Sequence, residues 1–461
     1  MSGLHPIKEI VIKQKMGFPA GIYSACSANE LVLEAVMERA KEGKDVVLIE
    51  ATANQVNQYG GYTGMKPANF KNFVYELADK VGFPKDRIIL GGDHLGPLTW
   101  KNEPAQSAME KARELIRQYV LAGFTKIHID TSMHLGDDNI KEKLDTKIIA
   151  ERGAILAEVS EEAYRELKAG HPDAIQPVYV VGSEVPIPGG SQEKEEGIQV
   201  TKVEDYEETV QVFKEAFIKH NLESAWDNVI AVVVQPGVEF GDENIHEYNR
   251  EAAADLCAAL KKHPNIVFEG HSTDYQTEFA FREMVQDGIA ILKVGPALTF
   301  ALREALFSLS YIEDELITEN TGRKPSRFIE VLEEAMLKNP DNWKNHYHGN
   351  EYKLKLARKY SLSDRCRYYL PLPEVQQAIN KLFENLKSVN IPMTLISQYM
   401  PIQYSKIREG KLNNDPISLV KDRVVNCIDE YLYGCEQYNI KNWLEERIDA
   451  YVERNPFNYP A

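Results

Sequence analysis

Short apolar runs rich in branched residues recur along the first two thirds of the chain. They are AGIYSAC (20–26), DVVLIEAT (45–52), RIILGGDH (87–94), TKIHIDTS (125–132), PVYVVGSE (177–184), VIAVVVQP (229–236), NIVFEGHS (265–272) and AILKVGP (290–296). Each has the length of a strand, and apolarity without alternation predicts parallel strands buried on both faces. Amphipathic stretches of helical period lie between most of them, such as ANELVLEAVMERAKEGK, QSAMEKARELIRQYVLAG and REAAADLCAALKKH. Eight strand–helix alternations predict an α/β fold, a closed (β/α)₈ TIM barrel. An open doubly wound sheet would need a glycine-rich fingerprint after its first strand, and ACSANE is not one.

Past residue 300 the strand signal stops. FALREALFSLSYIEDEL, RFIEVLEEAMLK, LPEVQQAINKLFENLK and ISLVKDRVVNCIDEYLYGCEQY read as helices, the first of them completing the barrel. The expected organisation is a barrel over 1–310 and a helical extension over 311–461, packed on the barrel or used in self-association. A polar, glycine-rich segment, PIPGGSQEKEEGIQ (186–199), follows the fifth run and is a candidate lid. Thr201 and Glu204 after it have capping-box spacing.

The ends of the runs carry the chemistry. Cys26-Ser27, Glu50, Asp93-His94, Asp130, Glu184, Gln235, His271 and Gly295 stand at or just past successive strand ends. Strand C-termini form the catalytic face of such a barrel. His94, Glu184 and His271 fall on the third, fifth and seventh runs, alternate strands whose inward side chains share a layer. Two imidazoles and a carboxylate suit a divalent metal: Zn²⁺ first, with Mn²⁺, Co²⁺ or Ni²⁺ as alternatives. Asp93 is then left free to move a proton beside a polarised substrate. Glu50 is either a second acid/base or a partner for a buried cation. Asp130 either contacts substrate or orients a ligand histidine. Ser27, Ser132, Gln235, Ser272 and Asp274 are further candidates for substrate contact. His128 lies inside the fourth run, on the strand face of Asp130 and Ser132, and reads as a supporting core histidine. The glycines of GGDHLGP read as giving a ligand close access to the backbone.

Bulk composition narrows the partners. A net charge of −17 argues against nucleic-acid or anionic-membrane surfaces, which need basic patches. Five scattered cysteines without a CxxC pair fit a reducing compartment and give no thiolate zinc site. The start, MSGLHPIKEI, lacks a signal-peptide core, and no apolar run reaches membrane-spanning length. A cytoplasmic protein is expected.

The segments GIYSACSANELVLEAV, EATANQVNQYGGYTGM, GGDHLGPLTW, HIDTSMHLGDD, VGSEVPIPGG, EGHSTDYQT, LKVGPALTFALREAL and SDRCRYYLP together resemble the GatZ/KbaZ-type tagatose-bisphosphate aldolase subunit family, a branch of the class II, metal-dependent aldolases. The resemblance spans nearly the whole chain. It implies an acid/base role for Asp93 and metal ligation by His94 and His271. It aligns Asp130-Thr131-Ser132 with an Asp-x-Ser segment of those enzymes. The pattern departs at Glu184, where catalytic aldolases carry a histidine, and at VGPALTF, which lacks their phosphate-binding Asn. Two functions follow as expectations. The favoured one is a metal-dependent ketohexose or ketohexose-phosphate 4-epimerase working by retro-aldol and aldol steps. The other is a non-catalytic stabilising subunit of a class II tagatose-1,6-bisphosphate aldolase complex. A sugar-phosphate binding module is a third.

Overall fold

The computed structural model describes residues 4–43, 45–186, 198–318 and 321–437. Eight parallel strands close into a barrel: β1 (Ile22–Ala25), β2 (Val47–Thr52), β3 (Ile88–Leu95), β4 (Lys126–Ile129), β5 (Val178–Val181), β6 (Val229–Val234), β7 (Val267–Gly270) and β8 (Ile289–Val294). Each pairs with its sequence neighbours, and β8 closes on β1. Every run read from the sequence contains one strand. A short antiparallel hairpin, Glu239–Phe240 with Ile245–His246, was not anticipated.

The barrel interior is layered by strand alternation. Ile22, Leu48, Ile89, Val178, Val267 and Ile291 fill its lower part. A helix ahead of β1, Pro6–Lys15, adds Ile7, Ile10 and Val11 to that cluster and plugs the end where the strands begin. Two residues further along, β1, β2, β3, β7 and β8 carry Ser24, Glu50, Gly91, Glu269 and Lys293 on the same faces, and β4 adds Lys126 and, nearer the mouth, His128. The interior therefore turns from hydrocarbon to charge as it approaches the mouth. On β5 and β6 the corresponding positions, Val180 and Val233, stay apolar.

The last long helix, Pro416–Gly434, returns to the barrel and packs between the helices Glu30–Ala40 and Glu278–Gln286. Tyr431 stacks at 4.0 Å on Phe281, and its hydroxyl donates to the Thr273 carbonyl at 3.2 Å. Gly434 admits this approach, since a Cβ there would lie 2.3 Å from Phe281 Cβ. The helix after β8, Pro296–Leu316, packs against it. The barrel wall at that position is thus completed from far downstream, and one apolar core runs through both regions.

One local expectation is corrected. The helix Val203–Lys219 starts after Lys202 without a side-chain cap. Thr201 instead donates to Glu184 Oε2 at 3.0 Å and accepts the Gln235 amide at 2.9 Å. Most of the candidate lid, 187–197, lies outside the described residues. Among the described residues no helix is long and apolar enough to cross a membrane, and all five cysteines are free.

Candidate metal centre at the barrel mouth

The sequence Gly91-Gly92-Asp93-His94 ends β3 with a break in regularity. Register against β4 shifts between Gly92 and Leu95, and His94 has φ +48°, a left-handed conformation rare for a side-chain-bearing residue. Regular alternation would send consecutive side chains to opposite faces. The irregularity lets both Asp93 and His94 reach the mouth, where both are buried yet line one cavity. Ser272, after β7, has a similar φ of +52° and follows His271 into the same cavity.

Three imidazoles meet there. The ring centroids of His94, His128 and His271 are mutually 5.0 Å apart. Each ring has a carboxylate on one nitrogen: His94 Nδ1 to Asp130 Oδ2 at 2.8 Å, His128 Nδ1 to Asp93 Oδ1 at 2.9 Å, and His271 Nε2 to Glu269 Oε1 at 2.9 Å. Carboxylates behind histidines are the usual means of fixing the tautomer and ring orientation of metal ligands. His128 carries the most informative atom. Its Nε2 is buried without a hydrogen-bond partner. Nδ1 lies against both Asp93 Oδ1 at 2.9 Å and the His94 amide at 3.1 Å; in the tautomer protonated at Nδ1, the bare Nε2 carries a lone pair, which is the ligating form. Ligand atoms of Asp93, His128, Glu269 and His271 all lie within 4.8 Å of one another.

Beneath the imidazoles runs a buried ionic ladder. Glu50 Oε1 accepts from Ser24 Oγ at 2.6 Å and Lys126 Nζ at 2.7 Å, while Oε2 takes Lys293 Nζ at 2.8 Å. Lys126 also meets Glu269 Oε2 at 2.6 Å, and Lys293 meets Asp93 Oδ1 at 2.8 Å. Strand register builds this ladder. Glu50, Gly91 and Lys126 lie in one row across β2, β3 and β4. A Cβ on Gly91 would stand 2.6 Å from Glu50 Cγ, so the missing side chain leaves room for the Glu50–Lys126 pair to cross β3. Likewise a Cβ on Gly96 would lie 1.8 Å from the Asp130 carbonyl oxygen. The glycines of this segment serve packing between strands, which corrects their reading as a ligand approach.

The electrostatics fit a cation. Asp93, Asp130, Glu50 and Glu269 are buried carboxylates, and Lys126 and Lys293 are the buried ammonium groups paired with three of them. Four carboxylates against two lysines leave a negative excess, which His94, its pKa raised, and a bound cation would both offset; unpaired buried charge is otherwise costly. Burial opposes ionisation of Asp93, but His94, Lys293, His128 and His271 outweigh it and hold the carboxyl well below its usual range. Burial is likewise overcome at Glu269 by Lys126, Lys293 and His271, and at Asp130, held at about 2, by His94. Burial would depress His94, yet Asp93 and Asp130 raise it. For His271 burial prevails, against Glu269, and its pKa falls to about 3, leaving a neutral imidazole. The donor set, the bare Nε2 and the charge deficit all fit a divalent metal.

The structure sorts the residues singled out from sequence. Asp93, His94, His271, Ser272 and Asp274 line one cavity of about 660 Å³, part of it open to solvent. Asp130 stands behind His94, and Ser132 Oγ donates to Asp130 at 2.7 Å, so both hold the His94 ring in place. His128, read as a core histidine, is a member of the imidazole triangle. Glu184 is not in the cluster. β5 ends at Val181, and Glu184 sits on the rim with Lys143 at 3.2 Å and Thr201. Glu50 is corrected as a proton carrier, because both its oxygens are held by lysines beneath the cavity. Gln235 turns its Oε1 onto the amides of Gly237 and Val238, and Ser27 accepts the Asn29 amide beside a different groove; neither lines the mouth. Lys126, Glu269 and Lys293 were overlooked, although a charge within an apolar run was visible in TKIHID, VFEG and AILKV. Arg367 and Tyr368, from the helical extension, and Tyr62 complete the cavity wall.

The sequence matches the family described as D-tagatose-1,6-bisphosphate aldolase subunit GatZ/KbaZ-like over residues 7–436. It is 48% identical over 429 residues to the D-tagatose-1,6-bisphosphate aldolase subunit GatZ of Salmonella agona, covering 93% of this chain and 99% of that one. The subunit of the same name from Salmonella gallinarum is 47% identical over the same share. A crystal structure described as a probable tagatose 6 phosphate kinase from Sinorhizobium meliloti 1021 superposes with a TM-score of 0.81 at 44% identity, covering 90% of this chain and 100% of that one. The chain therefore belongs to the GatZ/KbaZ-like family of D-tagatose-1,6-bisphosphate aldolase subunits.

Proposed function

We propose that this chain serves as a GatZ-type subunit of a D-tagatose-1,6-bisphosphate aldolase, with one divalent metal, zinc first among the options, held by His94, His128 and His271 at the barrel mouth. The observation that carries the subunit role is end-to-end identity of 48% with chains of that name. A feature of the site points the same way. Asp93 lines the cavity, but the imidazoles and Lys293 keep its proton affinity low. A general base works best with a pKa near the working pH, so Asp93 is a weak one. Supporting a catalytic partner asks less of it than turnover does.

A second reading, C4 epimerisation of a ketohexose by this chain alone, is favoured by one observation. Asp93 lines the cavity, and among the described residues its Oδ2 has His94 Nε2 at 3.8 Å and Cys26 Sγ at 3.9 Å as polar neighbours. That oxygen is placed to take the C4 hydroxyl proton. The C3–C4 bond then breaks, its electrons passing to C3, to give an enediolate fragment and an aldehyde. Re-addition to the other aldehyde face, with the proton returned by Asp93, inverts C4. A bound divalent metal would supply Lewis-acid polarisation of the ketose carbonyl.

The test is to incubate the zinc-loaded chain with D-tagatose 1,6-bisphosphate, D-tagatose, D-fructose and the two 6-phosphates, alone and with a catalytic class II tagatose-bisphosphate aldolase subunit. The subunit reading predicts no turnover alone, and a gain in activity or lifetime of the partner on mixing. Epimerisation by the chain alone, lost in Asp93→Asn, would establish the second reading instead.

A further inference from the structure

The mouth cavity joins a larger groove between the barrel and the helical extension, and Cys26, Gln55, Tyr62, Gly295 and Arg367 line both. Four Lys or Arg side chains line these two spaces. Lys293 is held by Glu50 and Asp93, Lys80 by Glu30 and Glu34, and Lys421 by Glu34 and Glu38. Among the described residues, Arg367 alone of the four has no carboxylate within ion-pair distance. Its guanidinium donates to the carbonyls of Ser363 and Asp364 and to the Tyr368 hydroxyl at 2.9 Å, and lies over the Tyr368 ring at 4.4 Å. These contacts fix the group without neutralising it. The turn that carries it is anchored to the helix after β8, since Asp364 accepts from Thr299 at 2.7 Å and from Arg303 at 3.3 Å.

A barrel of this kind commonly seats a phosphate at the helix N-terminus beyond its last strands. Here that place is taken. Buried Asp274 accepts the amides of Gly295 and Ala297 at 3.0 and 2.8 Å, filling the start of Pro296–Leu316 with the protein's own anion. An incoming phosphate would meet a carboxylate there, and would find a free planar cation at Arg367, the group suited to bind phosphate through paired donors. Tyr62 and Tyr368, edge to face at 4.9 Å, flank the passage with apolar ring surface for a sugar backbone.

We infer that Arg367, supplied by the helical extension, is the specificity residue that binds the terminal phosphate of a ketose phosphate whose other end occupies the imidazole-lined mouth. This goes beyond the subunit role, because it assigns the chain a ligand site of its own whether or not it turns that ligand over. The test is calorimetric titration of the zinc-loaded full chain with D-tagatose 6-phosphate and with D-tagatose. The wild type should bind the phosphate ester at least about tenfold more tightly, Arg367→Met should reduce that preference to near unity, and Arg367→Lys should keep part of it. A wild type without preference, or one whose preference survives in Arg367→Met, overturns the inference. If Arg367→Met does not fold, an undiminished preference in Arg367→Lys together with unchanged competition by inorganic phosphate overturns it equally.

Discussion

Asp93 Oδ1 lies 2.9 Å from His128 Nδ1, and the opposite nitrogen of that ring is buried with no hydrogen-bond partner among the described residues. The contact fixes the ring of a histidine from the middle of a strand, the ring we propose as a metal ligand. It also ties Asp93 to orientation of the site as much as to proton transfer. Replacing Asp93 by Asn removes the charge behind His128 while keeping the shape. Zinc affinity, read by chelator competition, should fall on the order of 10- to 100-fold, the usual cost of losing a partner behind a ligand. An unchanged affinity would mean that His128 does not ligate.

Lys126 is fully buried between Glu50 at 2.7 Å and Glu269 at 2.6 Å. Lys126→Met keeps the bulk but removes the shared cation, leaving Glu50 to Lys293 and Glu269 to His271. Breaking a buried pair in this way costs about 3–5 kcal/mol. Denaturant unfolding should record a loss of that order; a loss within experimental error would show that the ladder does not depend on its central cation.

Gly96→Ala brings a methyl into the space of the Asp130 carbonyl, 1.8 Å away. Relief requires β3 and the end of β4 to separate. Destabilisation on the order of 3 kcal/mol is expected, together with weaker metal binding, because Asp130 orients His94. A variant as stable as the parent would show that the strand ends yield freely.

At the other end of the barrel, His5 caps the plugging helix by accepting the Ile7 amide at 3.2 Å. Burial, then the Lys8 ammonium, lowers its pKa from 6.5 to about 4, against a backbone contact from Thr125. The folded protein thus binds this proton more weakly than the unfolded chain. Stability from the neutral ring is complete above pH 6.5 and is lost as the pH falls toward 4, to a total of about 3 kcal/mol. His5→Asn retains a capping oxygen and cannot titrate, so its stability should be flatter over that window. Parallel profiles for the two proteins would exclude His5 as the source.

The barrel was legible because parallel strands buried on both faces leave uninterrupted apolar runs, and eight of them stand out in this chain. Asp93, His94 and His271 were legible because ionisable groups at the ends of such runs have few structural uses. Glu184 misled for a local reason: Gly182, Ser183 and Glu184 continue the run past β5, which has already ended at Val181. The bare nitrogen of His128 was not legible, because one histidine in an apolar strand usually finds a partner for each nitrogen and only the packed barrel shows otherwise. Arg367 was beyond reach, since it comes to the mouth from the helical extension through the Asp364 anchor, a contact with no sequence periodicity.

The central claim is a metal held by three imidazoles, and it is tested most directly by metal content. Purified chain, loaded with zinc and dialysed, should hold close to one ion per chain by mass spectrometry, and His94→Ala, His128→Ala and His271→Ala should each lose it while Glu184→Ala retains it. Full zinc content in His128→Ala, or loss of zinc in Glu184→Ala, would contradict the account.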